Sequence, residues 1–329
     1  MKNYTLAVVG ATGMVGRKVI SVLEEMGLVP TEFYAFASKR SAGKTIEFNK
    51  KKHTIIELTK ENVLAQKIDY AIFSAGGSSS KEFAPIFAQN GCVVIDNSSY
   101  WRMDKTVPLV VPEVNPEALK THNNIIANPN CSTIQAVVAL APLYKKYGIK
   151  RIVYSTYQAV SGAGVDGVKD LENGMKGGKN EKFSRQIFSN VIPQIDVFLE
   201  NGYTKEEQKM IDETKKILSD DKLKITATTV RVPVFNGHSE SINIEFKKKI
   251  TLEGVMEALK TSKGIVLIDD IKNNLFPTVL DADNKNEVFV GRVRLDTSVK
   301  NGLNMWVVAD NIRKGAATNT VQILQELIK

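Results

Sequence analysis

Only two cysteines occur in this 329-residue chain, and one of them, Cys131, stands in the stretch Asn-Pro-Asn-Cys-Ser-Thr directly ahead of a helical pattern. A thiol at a helix start has unpaired N–H groups and the positive end of the dipole beside it, which favour thiolate, so Cys131 is a candidate nucleophile. The competing reading is a buried structural thiol. It fits Cys92, in the apolar run Cys-Val-Val-Ile, and for Cys131 taken alone both readings stay open. A nucleophilic thiol needs an acid or base within reach, and the chain offers three histidines. His53 follows a lysine run and His122 lies in the hydrophilic turn Thr-His-Asn-Asn, so both read as surface residues. His238 falls at a junction between two long strand patterns, after Arg-Val-Pro-Val-Phe-Asn-Gly, where a rigid strand end can aim a side chain into a cleft.

A second chemistry is written near the start. Thr-Leu-Ala-Val-Val is a short apolar run; Gly10-Ala-Thr-Gly13-Met-Val-Gly16 follows, and then a helical pattern. Strand, glycine turn and helix in that order suit a dinucleotide. Gly10 permits the tight turn, Gly13 lets the backbone approach a pyrophosphate, and Gly16 allows the helix to lie close on the strand. The helix N-terminus adds free N–H groups for the phosphates. An NAD enzyme usually carries Asp or Glu at the end of the second strand, whereas this chain has Ser38-Lys39-Arg40-Ser41. Hydroxyls and a guanidinium there suit a 2′-phosphate, so NADP is expected over NAD.

These residues need a scaffold, and 329 residues exceed what one growing core accommodates, so two domains are expected. Short apolar runs at 5–9, 32–38, 68–75 and 91–98, separated by helical segments, predict a Rossmann-type doubly wound parallel sheet. After residue 130 longer alternating runs predict an antiparallel sheet with one face covered, an α+β catalytic and dimerisation domain. The amphipathic last segment reads as a helix able to return to the first domain. Expected boundaries are therefore 1–129 with the C-terminal helix 312–329, and 130–311. Residues 174–185, Gly-Met-Lys-Gly-Gly-Lys-Asn-Glu-Lys-Phe-Ser-Arg, read as a mobile basic loop.

Composition excludes several classes. Apolar residues at 43% and charged residues at 24% belong to a folded globular chain rather than a disordered one. The start passes straight into a strand pattern, which leaves no room for a signal peptide, and no uncharged run makes a membrane helix. Two cysteines make neither a disulfide framework nor a metal site, so a reducing, cytoplasmic setting without metal is expected. The net charge of +8 is spread over scattered lysines and strand-flanking runs such as Asn-Lys-Lys-Lys-His, without the basic aromatic stripe of a nucleic-acid binder. It favours anionic small-molecule substrates.

Together, ASKRSAGK, DNSSYWR, VPEVN, NPNCSTIQ, STYQAVSGAG, PQIDVF, EEQKMIDETKKI, RVPVFNGHSES and WVVADNIRKGAATNTVQI resemble the aspartate-semialdehyde dehydrogenases, close to the forms in Gram-positive bacteria. The resemblance runs from Gly10 to the final helix and implies a glyceraldehyde-3-phosphate dehydrogenase-like fold. It also implies NADPH-dependent reductive dephosphorylation of L-aspartyl 4-phosphate, serving lysine, diaminopimelate, methionine and threonine biosynthesis. By resemblance, Cys131 forms a thioester and His238 is the general acid/base. Gln158 orients the acyl group, and Arg231 pairs with the substrate carboxylate, assisted by Glu206. Arg102, Lys209 and Asn130 hold the transferable phosphate. Cofactor contacts fall on Thr12, Gly13, Met14, Val15, Arg40, Ser41, Ser161, Gly162 and Asn311, and a homodimer is implied. The 174–185 segment departs from the family in being shorter than the insertion associated with relatives. Thiol and nucleotide fold by themselves also fit another acyl-phosphate reductase, such as N-acetylglutamyl-phosphate reductase, or a non-catalytic NADPH-binding sensor. RVPVFNGHSES and EEQKMIDETKKI separate these by resemblance.

Overall fold

The computed structural model describes residues 3–329 and divides them into two compact units, one running through Asn130 and taking up Ala316–Lys329, the other Cys131–Gly315. In the first unit, seven strands form one sheet: β1 (Thr5–Val9), β2 (Glu32–Ala37), β3 (Thr45–Phe48), β4 (Lys51–Glu57), β5 (Tyr70–Phe73), β6 (Val93–Asp96) and β7 (Ile125–Ala127). Their order is β3-β4-β2-β1-β5-β6-β7. Every pairing is parallel except β3 with β4, an edge hairpin closed by Asn49 and Lys50, both at positive φ as a two-residue turn of matching twist requires. Leu6 to Val9 are all fully buried, which is why a central strand reads as an unbroken apolar run rather than an alternating one.

Helices α1 (Met14–Glu25), α2 (Lys60–Leu64) and α3 (Gly77–Gln89) belong to this unit. The lysine run expected to flank a strand instead continues into β4. His53 therefore lies against the rings of Phe33 at 5.1 Å and Phe48 at 6.2 Å, with its Nε2 enclosed, and is not the plain surface residue the sequence suggested. His122 is half-buried too, its Nδ1 accepting the Asn124 N–H.

The second unit opens with α4 (Cys131–Tyr147) and contains α5 (Val165–Met175), α6 (Lys205–Leu218), α7 (Leu252–Lys260) and α8 (Val279–Ala282). Its strands are β8 (Ile149–Gln158), β9 (Lys224–Arg231), β10 (His238–Phe246), β11 (Ile265–Leu267), β12 (Val288–Asp296) and β13 (Gly302–Ala309), ordered β11-β12-β13-β10-β8-β9. The expectation of an antiparallel sheet holds for the three central pairings. β8–β9 and β11–β12 are parallel; for the first pair, α6 carries the chain between β8 and β9 back to the same end of the sheet. α4 and α6 cover one face, so Ile152, Tyr154, Ile242 and Ile244 are buried against them. α6 begins with a capping box in which the Thr204 hydroxyl and the Glu207 carboxylate satisfy each other's main-chain N–H. The last helix, α9 (Thr318–Leu327), lies against α1 in the first unit and follows a π-turn over Arg313–Ala317.

Candidate active site

In the first unit, the glycine turn between β1 and α1 is tied to β2, Gly10 N–H donating to the Phe36 carbonyl at 2.8 Å. A Cβ on Gly10, at φ +81°, would come 2.5 Å from the Ser74 carbonyl oxygen; one on Gly16 would come 2.2 Å from that of Gly10. Backbone contact therefore excludes side chains at both positions. No side chain caps the start of α1 at Gly13, so the first N–H groups of the helix that Met14 and Val15 open are left without a capping side chain, directly after Thr12 and Gly13. A cradle of bare backbone at an uncapped helix start fits a dinucleotide pyrophosphate. Ser38, Arg40 and Ser41 form the turn after β2, and the parallel register Val9↔Phe36 places that turn at the same end of the sheet. Ser38 and Arg40 are exposed.

Arg102 is buried in this unit, its Nε donating to Asn128 O and its Nη2 to Asn97 O, each at 2.9 Å. Asn97 and Asn128 are joined side chain to side chain at 3.0 Å and braced from α9 by Thr320 and Asn319. The guanidinium is thus seated before any ligand arrives. Asn130 is buried and immediately precedes the thiol.

In the second unit, Cys131 is the first residue of α4 and half-exposed, with Gly315 so close that a Cβ there would lie 2.7 Å from that of Cys131. Three strand ends then line up, the pairings His238↔Gln158 and Gln158↔Arg231 setting one row across β10, β8 and β9. All three side chains are buried. Gln158 is held at both ends, accepting from Thr156 Oγ1 at 3.0 Å and donating to Glu206 Oε1 at 3.2 Å. The other Glu206 oxygen accepts from Lys209 Nζ at 3.1 Å, and Lys209 also reaches Asp196 at 3.0 Å. The pair that sequence could equally place on a helix surface is therefore an inward network. Arg231 Nη1 donates to the Ala159 carbonyl at 2.6 Å. Burial lowers the affinity of that guanidinium for its proton, while the charges of Glu206 and Cys131 raise it, so the thiol and the arginine lie in each other's field.

His238 accepts the Ala159 N–H at Nδ1, 3.0 Å away, and its Nε2 is enclosed without a protein partner. Burial first, and then the charge of Arg231, push its pKa down to about 3, against smaller opposing effects of Glu206 and the Gly237 backbone. His238 is therefore neutral, and because Nδ1 is an acceptor, the ring proton sits on Nε2. Gly162 lies over both groups. A Cβ there would come 3.0 Å from Arg231 Nη1 and 3.3 Å from His238 Nε2. Ser161 and Asn311, both expected as cofactor contacts, are bonded to each other: Asn311 donates to Ser161 Oγ at 3.0 Å and accepts the Gly237 N–H at 2.8 Å, bracing the residue before His238.

Sequence reasoning missed Ala159, which serves Arg231 with its carbonyl and His238 with its N–H; backbone groups carry no residue-type signal. It also missed Thr156 and Asp196. The 174–185 segment, expected as a mobile loop, begins in α5 and is tied to it through Glu181–Phe183. Burial raises the pKa of the Asp170 carboxyl, yet N–H donors from Glu181, Lys182 and Phe183 at 2.8–2.9 Å bring it below the usual range, and Phe183 stacks 5.8 Å from the Arg231 guanidinium. Among the described residues, no group of His, Cys, Asp and Glu could hold a metal, and no helix is long and apolar enough to cross a membrane.

Residues 5–122 match the family model described as semialdehyde dehydrogenase, NAD binding domain, and residues 140–314 the one described as semialdehyde dehydrogenase, dimerisation domain. The aspartate-semialdehyde dehydrogenase of Aquifex aeolicus (strain VF5) is 56% identical over 99% of this chain and 98% of its own length. The chain belongs to the aspartate-semialdehyde dehydrogenase family. The crystal structure of the family member aspartate semialdehyde dehydrogenase II from Vibrio cholerae, complexed with ASA, is 48% identical with a TM-score of 0.95, covering 100% of this chain and 99% of that one. A second member, from Candida albicans and solved with NADP, is 27% identical with a TM-score of 0.77, over 99% and 98% of the two chains. In this member of the family, Asn130 and Cys131 fall between the two matched spans, at the junction of its two units.

Proposed function

We propose that this chain reduces L-aspartyl 4-phosphate to L-aspartate 4-semialdehyde with NADPH, through a thioester on Cys131. The observation that carries the reading is the row of Arg231, Gln158 and His238 in one buried network with the field of Cys131 upon it. The thiolate attacks the acyl carbon, and the C–O bond to phosphate breaks with its electron pair leaving on the phosphate, for which Arg102, Asn130 and Lys209 are the contacts. Arg231 receives the substrate carboxylate and Glu206, fixed by Lys209, braces it; Gln158 orients the acyl group. The glycine turn between β1 and α1 would hold the pyrophosphate of NADPH, and the cofactor when bound would supply the hydride that reduces the thioester. His238 donates its Nε2–H to the acyl oxygen while that oxygen carries negative charge, and the charge returns to sulfur as the C–S bond breaks and the aldehyde leaves. Since His238 is neutral with Nδ1 occupied, hydrogen-bond donation describes its part better than removal of the thiol proton.

The turn Ser38–Ser41 supports NADPH over NADH through Arg40. The face of the second sheet away from α4 and α6 supports a homodimer: over β8 to β10 it presents Tyr157, 39% exposed and packed 5.5 Å from Trp306, among polar residues. The cytoplasm is the setting that fits, and the place of the reaction is the branch toward lysine, diaminopimelate, methionine and threonine.

The test is phosphate-dependent reduction of NADP with aspartate semialdehyde, run beside glyceraldehyde 3-phosphate and repeated with NAD. Turnover is expected with the first aldehyde and with NADP; no turnover of aspartate semialdehyde overturns the reading, and equal efficiency with NAD removes the role of Arg40. Cys131→Ser is expected to lose about 1,000-fold or more, roughly 4 kcal/mol of barrier, because a hydroxyl is a poor nucleophile at neutral pH.

A further inference from the structure

One step behind the row of His238, Gln158 and Arg231, on the same inward face, the register sets a second row of Val307, Glu240 and Thr156 on β13, β10 and β8. Glu240 is 0% exposed, and neither carboxyl oxygen has a hydrogen-bond partner in the protein. The nearby hydroxyls have other partners. Thr156 Oγ1 donates to Gln158, and the Tyr154 and Thr214 hydroxyls share a hydrogen bond at 3.1 Å in which either can be the donor. Gln135 on α4 donates to the carbonyls of His238 at 3.3 Å and Val307 at 3.5 Å, the residue two before Glu240 and its cross-strand neighbour. That leaves Gln135 Oε1 buried as an acceptor without a donor. Of the titratable groups, Glu206 of α6 and Tyr154 of β8 lie in its field, and His238 is two residues before it on the same strand; β13 brings Val307.

A carboxylate enclosed with no donor is the costliest state available to it, and a second anion, Glu206, stands nearby. Burial first and that charge second both favour the protonated acid. We propose, resting on the reaction above, that Glu240 is a positioning residue that works as a neutral carboxylic acid. Its O–H serves the vacant acceptor of Gln135, directly or through one enclosed water, so that Gln135 holds the His238 main chain, and its neutrality spares Glu206 a second buried anion beside it.

Infrared difference spectra of the full chain at pH 7, wild type minus Glu240→Gln, are expected to contain the carbonyl stretch of a protonated carboxylic acid; its absence overturns the proposal. In the aspartate semialdehyde assay, Glu240→Gln keeps shape, donor and neutrality and retains most of its kcat with an unchanged pH profile of kcat/KM. Glu240→Met keeps the volume but removes the donor, and is expected to lower kcat about tenfold. Damage in Glu240→Gln equal to that in Glu240→Met, a shifted pH limb in Glu240→Gln, or full activity in Glu240→Met each overturns it. Should Glu240→Met not fold, by near-ultraviolet circular dichroism, the infrared band and the Glu240→Gln profile decide. A wild type inert toward aspartate semialdehyde would sink the reaction, and the infrared band alone would then decide the state of Glu240.

Discussion

At the scale of single residues, His238 shows how burial and one backbone N–H define a role. Its folded pKa of about 3 lies below the ordinary 6.5, so the unfolded chain takes up a proton at this residue that the native state refuses. The stability contributed is whole above pH 6.5 and declines as pH falls toward 3, by about 1.4 kcal/mol per unit once the unfolded imidazole is protonated. Denaturant unfolding of wild type and His238→Gln at pH 7.5 and 5.5 is expected to show the wild type losing about 1.4 kcal/mol more than the variant. Equal losses would mean that the native imidazole titrates normally. That His238 was the candidate among three histidines was legible from its place at a strand junction. That it is neutral, with its proton on Nε2, depends on Ala159, a residue nearly 80 positions away with nothing in its side chain to announce it.

At the scale of elements, the glycine turn was the most legible part, because its demands are local: a positive φ at Gly10 and contact distance between Gly16 and the Gly10 carbonyl follow from joining a strand to a helix in four residues. Gly16→Ala forces α1 away from β1 and is expected to cost about 1–3 kcal/mol of stability. NADPH affinity, followed by its fluorescence, should weaken with it; a variant with unaltered stability and affinity would show that the 2.2 Å approach relaxes freely. The capping box of α6 is equally local, Thr204 and Glu207 standing three residues apart, although sequence reasoning missed it. The parallel entry of β9 was not, since an alternating pattern reports which face is buried and is indifferent to strand direction. The tie of Glu181–Phe183 to α5 escaped for a similar reason. Glycines and lysines promise freedom, and the carboxylate that accepts these N–H groups, Asp170, sits on the helix before.

At the scale of the whole molecule, the open half of the second sheet predicts association: Tyr157→Glu is expected to convert a homodimer to monomers in sedimentation velocity, and a dimer unchanged by that charge would move the interface elsewhere. The sequence by itself determined the two-part plan, the nucleotide turn, the thiol at a helix start and the family, because each is a local demand on backbone or a long match of residue types. Only the tertiary structure decided that Glu206 and Lys209 turn inward, that His238 is a neutral donor, and that Glu240 is a buried acid in the row behind it. Protonation and partner choice depend on how completely water is excluded and on which strands lie side by side, and both arise when separate stretches of chain pack into one sheet.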